Sequence, residues 1–188
     1  MSEQREILAI IPARFASHRF PGKVIAPLAG KPLVLHTYER TIQANCITKA
    51  IIATDDQRVL DALAPYDIQV VMTSTHHPSG TDRIAEVART STADIIVNVQ
   101  GDEPMLDPNT IDAAVQTLLD DPKLNMATAK HAITDPKDIQ DPNVVKVVTD
   151  THNRALYFSR SPIPHMRDLA DQTAEHPAYW QHIGLHVF

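Results

Sequence analysis

Four positively charged or titratable side chains lie close together near the start of the chain. They are Arg14, His18, Arg19 and Lys23, and they share the segment 14–23 (RFASHRFPGK), called the basic loop below. Arginine holds phosphate oxygens as a two-pronged donor and lysine holds them as a compact charge, so the loop fits a polyphosphate such as a nucleoside triphosphate. The simpler alternative is a solvated loop whose charges only keep the protein soluble.

Carboxylates form a second candidate group. The segment 95–104 (IIVNVQGDEP) is an aliphatic run that leads to Gln100, Asp102 and Glu103. Because Mg²⁺ takes few protein carboxylates when phosphate oxygens and water complete its shell, Asp102 alone is a sufficient protein ligand. Taken alone, the segment is more typical of a turn before a helix. A basic loop at the same sheet edge makes the metal interpretation the better one.

A third candidate is the segment 76–83 (HHPSGTDR), which precedes a helical pattern. Ser79, Gly80 and Thr81 suit a tight loop, with Thr81 or Asp82 as the helix cap. Arg83 would lie in the first helical turn, where the helix dipole disfavours a positive charge, so it needs a partner elsewhere. The alternative is an exposed arginine without a role.

Several other chemistries lack their sequence signatures. Neither GxGxxG nor GxxxxGK[ST] is present, so the chain has neither a Rossmann dinucleotide fingerprint nor a Walker A loop. The ten histidines do not form HExxH or a Cys/His cluster, which argues against a zinc site. The sequence also lacks a G-x-S-x-G elbow, and Cys46 lies in an ordinary context, so covalent catalysis has no support.

The elements that must position these residues alternate between strand and helix patterns. We predict an α/β fold, a three-layer, mostly parallel, doubly wound sheet. Ligands bind such sheets at the carboxyl ends of the strands, where the basic loop and Asp102 lie. The predicted strands are 6–11, 49–55, 68–73 and 93–100, and the predicted helices are 32–44, 56–64, 81–91 and 107–121.

The pattern changes after residue 125. Strand-like runs follow without helices of full length, at 126–133, 144–150, 154–160 and 182–188. We therefore predict a nucleotide-binding α/β body over 1–125 and a small β-rich region over 126–188.

Composition limits the classes of partner and the location. The 188 residues are 43% hydrophobic and carry a net charge of -6, which argues against general nucleic-acid or membrane-surface binding. The single cysteine suits a reducing compartment, and no segment resembles a signal peptide or a membrane span. We expect a cytoplasmic protein that neither binds nucleic acid nor inserts into a membrane.

Six segments together resemble the 3-deoxy-manno-octulosonate (KDO) cytidylyltransferases, or CMP-KDO synthetases. They are IPARFASHRFPGKVIAPLAGKPLVLH, ATDD, HPSGTDRIAE, IIVNVQGDEP, YFSRSPIP and HIGLHVF, in order along essentially the whole chain. The resemblance implies that CTP and KDO react to CMP-KDO and pyrophosphate with Mg²⁺, for lipopolysaccharide biosynthesis. It also implies a homodimer, with sugar binding and dimerisation in the β-rich region.

The resemblance assigns site residues by matching position. The expected triphosphate ligands are Arg14, Ser17, Arg19 and Lys23; the expected nucleotide pocket comprises Ser79, Gly80, Asp82, Arg83 and Gln100. Arg14, Lys23 and Asp102 are the expected catalytic residues, with Asp102 as the metal ligand. The expected sugar contacts are Gln100, Arg160, His182 and His186.

Some features depart from the family pattern. The family often has STRLPGK where this chain has His18 and Phe20, and often has Tyr at the position of His186. It also continues beyond the position of Phe188 and supplies a further Asp for Mg²⁺ there, so we expect this sequence to lack that ligand. Two alternatives remain open: a cytidylyltransferase for another acidic sugar such as an acylneuraminate, or a truncated relative that binds nucleotide without turnover.

Overall fold

The protein is described by a computed structural model over most of its length, namely residues 5–16, 20–165 and 179–188. Ser17, His18 and Arg19 of the basic loop lie outside these described residues. Contacts divide the chain into two compact units: residues 1–127 with 185–188, and residues 128–184.

The secondary structure begins with alternating strands and helices and continues with antiparallel strands. The elements up to residue 120 are β1 (Ile7–Ala13), a 3₁₀ helix (Lys23–Ile25), β2 (Pro27–Leu28), β3 (Lys31–Pro32), α1 (Leu33–Thr41), β4 (Lys49–Thr54), α2 (Gln57–Leu63), β5 (Val70–Met72), α3 (Gly80–Ala88), β6 (Ile95–Val99) and α4 (Pro108–Asp120). The later elements are β7 (Ala127–Ala132), α5 (Pro136–Gln140), β8 (Lys146–Thr149), β9 (Ala155–Ser159) and β10 (Trp180–Val187).

The sheet of the first unit has the strand order β5-β4-β1-β6, and all of these neighbours are parallel. Residues 185–187 of β10 extend it by pairing antiparallel with β6. The chain adds β4 and β5 on one side of β1 and then returns to place β6 on the other. The gap between β1 and β6 is therefore a topological switch point, where open α/β sheets bind ligands at their carboxyl edge.

Continuous aliphatic runs form the core of this unit. All seven residues of β1 are buried, as expected for a strand covered on both faces. Leu8 and Ile10 on one face of β1 pack with Ile84 and Val87 of α3. Full burial of each such side chain stabilises the fold by about 1.5–3 kcal/mol. The predicted α/β fold with a mostly parallel sheet is confirmed.

Every strand and helix predicted from the sequence is present, but the predicted start of α3 was wrong. The α3 helix begins at Gly80 with Ser79 as its N-cap, rather than with Thr81 or Asp82. The stretch after the basic loop also has regular structure, because β2 and β3 form a hairpin. Its two turn residues, Ala29 and Gly30, both have positive φ (47° and 84°), the backbone of a type I′ turn. Asn-Gly, Asp-Gly and Gly-Gly are the usual residue pairs of that turn, so Ala-Gly does not predict it.

The second unit is built on antiparallel pairing. The β8 strand pairs with β9 and with residues 180–181 of β10, and β7 also pairs with β10. The Lys146 side chain is fully buried, and its ammonium donates to the carbonyls of Asp141 (2.8 Å) and Val144 (2.6 Å). Burial lowers the pKa of Lys146. Within the described ranges, no helix is both long and apolar enough to cross a bilayer.

Candidate active site

An ion pair joins the loop that follows β1 to the loop that follows β6. Lys23 is the last residue of the basic loop that follows β1, and Asp102 follows β6. The Lys23 ammonium lies 2.8 Å from an Asp102 carboxylate oxygen. The two side chains are 42% and 46% exposed, so both charges are accessible from solvent. Residues that are 79 positions apart in sequence thus form one charged centre at the switch point. The expectation that the basic loop and Asp102 share one sheet edge is confirmed.

The loop that carries Asp102 is held at both ends by α1. The buried Thr37 hydroxyl donates to the Gly101 carbonyl at 3.2 Å, and Arg40 Nε donates to the Leu106 carbonyl at 3.2 Å. Gly101 is also required sterically, because a Cβ there would lie 2.7 Å from the Pro12 carbonyl oxygen. The Asp102 backbone is therefore fixed against both α1 and β1.

The donor set at Asp102 fits a magnesium ion that also binds phosphates. Asp102 offers a half-exposed carboxylate, and Mg²⁺ needs few protein carboxylates when a substrate supplies oxygens. The neighbouring Glu103 is less suited, because burial and the Asp102 charge raise its pKa, although Lys23 lowers it. Among the residues that the structure describes, no cluster of three or more His, Cys, Asp or Glu side chains could hold a metal by itself.

Arg14 connects the basic loop to the segment before α3. Its two terminal nitrogens donate to the carbonyls of His77 and Pro78, both at 3.3 Å. Its Nε is buried and has no hydrogen-bond partner among the residues that the structure describes. Both accepting carbonyls precede Ser79, so Arg14 lies between two of the predicted ligand segments.

The start of α3 is a compact cap close to β1. The Ser79 hydroxyl accepts from the Asp82 amide (3.2 Å) and donates to the Asp82 carboxylate. The hydrogen bond from Ser79 is the main reason that the pKa of Asp82 is lowered. A Cβ on Gly80 would lie 3.5 Å from the Pro12 ring, in ordinary contact. Ser79, Gly80 and Asp82 thus lie together beside the end of β1.

Arg83 has a different environment from the one expected. Its side chain has no exposed surface, and its guanidinium donates to Asp55 at 2.5 Å and to the Thr73 hydroxyl. The inference that a first-turn arginine needs a partner is confirmed by Asp55. In this conformation a ligand cannot reach the Arg83 side chain, which instead ties α3 to the ends of β4 and β5.

A second contact also fixes the segment before α3. The His77 ring pairs with Glu86 of α3, whose carboxylate also accepts from the Ser74 amide at 3.0 Å. The hydrogen bond from His77 is the main reason that the pKa of Glu86 is lowered. This contact orients the residue whose carbonyl accepts from Arg14.

The remaining predicted site residues lie in both units. Gln100 of the first unit is half-buried and donates to the Asn98 side chain at 3.2 Å. His186 also belongs to the first unit, and burial lowers its pKa. In the second unit, exposed Arg160 donates to the Pro142 carbonyl at 2.7 Å. His182 of that unit hydrogen-bonds the Thr128 hydroxyl at 2.8 Å.

Comparisons with known proteins agree with this arrangement. A family model described as cytidylyltransferase matches residues 8–188. A protein of Solibacter usitatus named 3-deoxy-manno-octulosonate cytidylyltransferase is 54% identical, over 98% of this chain and 71% of the relative. One of the same name from Trichlorobacter lovleyi is 51% identical, over 97% of this chain and 75% of the relative. The chain belongs to the 3-deoxy-manno-octulosonate cytidylyltransferase family.

A solved structure extends the likeness to three dimensions. The structure of CMP:2-keto-3-deoxy-manno-octonic acid synthetase complexed with CTP superposes with a TM-score of 0.87 at 42% identity. The match covers 97% of this chain and 73% of that one. The cytidylyltransferase family resemblance identified from the sequence is thereby confirmed.

The sequence did not point to several residues that support this cytidylyltransferase site. Asp55 lies in the ATDD segment but had no assigned role; its place directly after a buried strand was the only available signal. Thr37 and Arg40 lie inside a helix and look like ordinary helix residues. Their hydrogen bonds to a distant loop appear only in the folded chain.

Proposed function

We propose that this chain transfers the cytidylyl group of CTP to KDO and releases pyrophosphate. The observation that carries the proposal is the Lys23–Asp102 ion pair, which places a cation and a carboxylate 2.8 Å apart at the switch point. The names of the relatives, and the CTP complex of the solved synthetase, support CTP and KDO as the substrates.

The reaction needs no enzyme nucleophile. The C2 hydroxyl oxygen of KDO attacks the α-phosphorus of CTP and forms the new P–O bond, while the bond from that phosphorus to the β-phosphate bridging oxygen breaks. Pyrophosphate leaves with the electron pair of that bond, and the hydroxyl proton passes to solvent. The protein contributes positioning and positive charge, which is the usual basis of catalysis in phosphoryl chemistry.

Lys23 provides the positive charge for the leaving group. Its ammonium lies at the end of a flexible stem and is 42% exposed, so it can bind β- and γ-phosphate oxygens beside Asp102. Arg14 adds a second charge near the start of α3. The family resemblance assigns Ser17 and Arg19 to the same triphosphate, and that assignment stays a proposal.

Asp102 would hold the magnesium ion that the family resemblance implies. When bound, Mg²⁺ neutralises phosphate oxygens around the reacting phosphorus. Thr37 fixes the backbone next to Asp102, so the carboxylate is presented from a rigid support.

The segment before α3 and the end of β6 would bind the rest of the nucleotide. Ser79, Gly80 and Asp82 lie beside the end of β1, and Gln100 lies at the end of β6. Arg83 would support that pocket from within, because its side chain is buried.

The sugar contacts and the cellular setting depend on the family resemblance. It supports Arg160, His182 and His186 as KDO-binding residues. It also supports a cytoplasmic homodimer whose product enters lipopolysaccharide biosynthesis.

A substrate panel tests the proposal. Purified protein is incubated with Mg²⁺, CTP and either KDO or N-acetylneuraminate, and pyrophosphate release is measured. We expect release with KDO and not with N-acetylneuraminate, and loss of release when EDTA removes the metal. Release with N-acetylneuraminate alone would overturn the assignment of KDO. CTP binding without release for any sugar would instead indicate a nucleotide-binding relative without turnover.

A further inference from the structure

The basic loop has a closed base formed by Phe15 and Gly22. The Gly22 amide donates to the Phe15 carbonyl at 2.8 Å, so the two ends of the segment between them meet. Gly22 has φ 73°, and a Cβ there would lie 3.1 Å from the Phe15 ring. The ring therefore packs directly on the Gly22 backbone, and Lys23 is the next residue. We call this pair of residues the loop neck.

A side chain from α2 also contacts the ring of the neck. The Arg58 guanidinium carbon lies 3.4 Å from the centre of the Phe15 ring, within the range of a cation–π contact. The Phe15 ring thus contacts both Arg58 and Gly22. No motif of the basic loop includes Arg58, which is 35 positions beyond Lys23 in sequence.

The Arg58 guanidinium is itself held in a fixed orientation. Its Nε and a terminal nitrogen donate to the two Asp56 carboxylate oxygens, at 2.8 and 2.6 Å. Asp56 also caps α2 by accepting from the Arg58 amide at 3.0 Å. Because a two-pronged pair fixes the guanidinium plane, its flat face stays on the Phe15 ring although 63% of the side chain is exposed.

We propose that Arg58 is a positioning residue for the triphosphate-binding loop and acts through the Phe15 ring on the neck from which Lys23 emerges. The inference deepens the proposed function and depends on it for the identity of the ligand. An arginine that served only solubility would not need to contact the Phe15 ring, which closes the base of the basic loop.

Calorimetry of CTP binding with Mg²⁺ tests the proposal. A cation–π contact of an exposed arginine corresponds to roughly a two- to fivefold change in an equilibrium constant, so Arg58→Ala should raise the Kd for CTP by that factor. Arg154→Ala is the matched control, because Arg154 is 67% exposed and pairs with Asp150 at 3.1 Å. It should leave the Kd unchanged.

A double-mutant cycle shows whether Arg58 acts through the ring. In a Phe15→Leu background, Arg58→Ala should have no further effect on the Kd, whereas in a Phe15→Tyr background its effect should return. Additive effects of Phe15→Leu and Arg58→Ala would overturn the proposal. An unchanged Kd in Arg58→Ala would also overturn it, as would an equal rise in Arg154→Ala.

Hydrogen exchange separates this inference from the proposed function. The Gly22 amide donates within the neck, so its exchange should be about two- to fivefold faster in Arg58→Ala than in the unaltered chain. If the unaltered chain binds no CTP, the proposed function fails, while the exchange rate still decides whether Arg58 holds the neck. Equal exchange rates would refute the neck contact.

Discussion

Replacement of Asp102 by asparagine separates the chemical role of this residue from its role in stability. The substitution keeps the size of the side chain and removes its negative charge. Two interactions are affected: the ion pair with Lys23 and the proposed binding of magnesium. Because Asp102 lies in an exposed loop whose backbone is held independently by Thr37, we expect the fold to remain.

The magnitudes of the two effects differ widely. An ion pair whose partners are 42% and 46% exposed contributes about 0.2–1 kcal/mol, which corresponds to a fall in Tm of at most about 4 °C for a chain of this size. Loss of an electrostatic group at the reacting phosphorus lowers kcat on the order of a hundred- to a thousandfold. The expected variant is therefore folded and nearly inactive.

A matched variant controls for loss of an ion pair as such. Lys31 and Glu39 form a pair of 2.6 Å with exposures of 44% and 39%. Glu39→Gln should change Tm by the same small amount and retain full activity. The assay measures pyrophosphate release and thermal unfolding for both variants. Activity of Asp102→Asn within about tenfold of the unaltered chain would refute the metal assignment. A fall in its Tm far beyond about 4 °C would show that Asp102 is also needed for stability.

Other predictions concern the supports of the site. Lys23→Ala should lower kcat about a hundredfold with little change in Tm, whereas an unaffected kcat would favour the solvated-loop alternative. Thr37→Val loses the hydrogen bond to the Gly101 carbonyl, so it should remove about 0.5–1.5 kcal/mol of stability and also lower kcat. Thr41→Val loses a buried hydrogen bond within α1 and should affect only stability. Above about pH 4.5, the ordinary pKa of glutamate, Glu86→Gln should have a lower Tm than the unaltered chain. That difference should vanish as acid protonates Glu86 through its lowered pKa; a constant difference down to pH 2 would contradict the pairing with His77. Burial, with a further contribution from Asp112, raises the pKa of Cys46 to about 12. Cys46 should therefore react with iodoacetamide at pH 8.5 on the order of a thousandfold more slowly than a free thiol. A free-thiol rate would contradict that environment.

The arrangement of strands and helices could be predicted because each element carries its own local signal. The β1 and β6 segments are continuous aliphatic runs, and parallel connectivity brings their carboxyl ends to the same edge. That rule alone placed the basic loop near Asp102. The direct ion pair of Lys23 and Asp102 is consistent with it, but its distance requires the folded backbone.

Contacts between distant side chains could not be predicted. The local sequence around Arg83 does not show whether its side chain faces a ligand or the core. Its burial is explained by the ion pair with Asp55, which forms only in the folded chain. Thr37 and Arg58 likewise act on loops far away in sequence. The β2–β3 hairpin was missed for a different reason, because Ala29 adopts a positive φ that its residue type disfavours.

Identification of the reaction product is the direct test of cytidylyl transfer to KDO. The purified chain is incubated with Mg²⁺, CTP and KDO, and the mixture is analysed by mass spectrometry and ³¹P NMR, with Asp102→Asn as the matched variant. We expect a CMP–KDO phosphodiester and an equal amount of pyrophosphate from the unaltered chain, and only trace amounts of either from Asp102→Asn. Intact CTP and KDO after prolonged incubation would contradict cytidylyl transfer, and equal product from both proteins would contradict the role of Asp102.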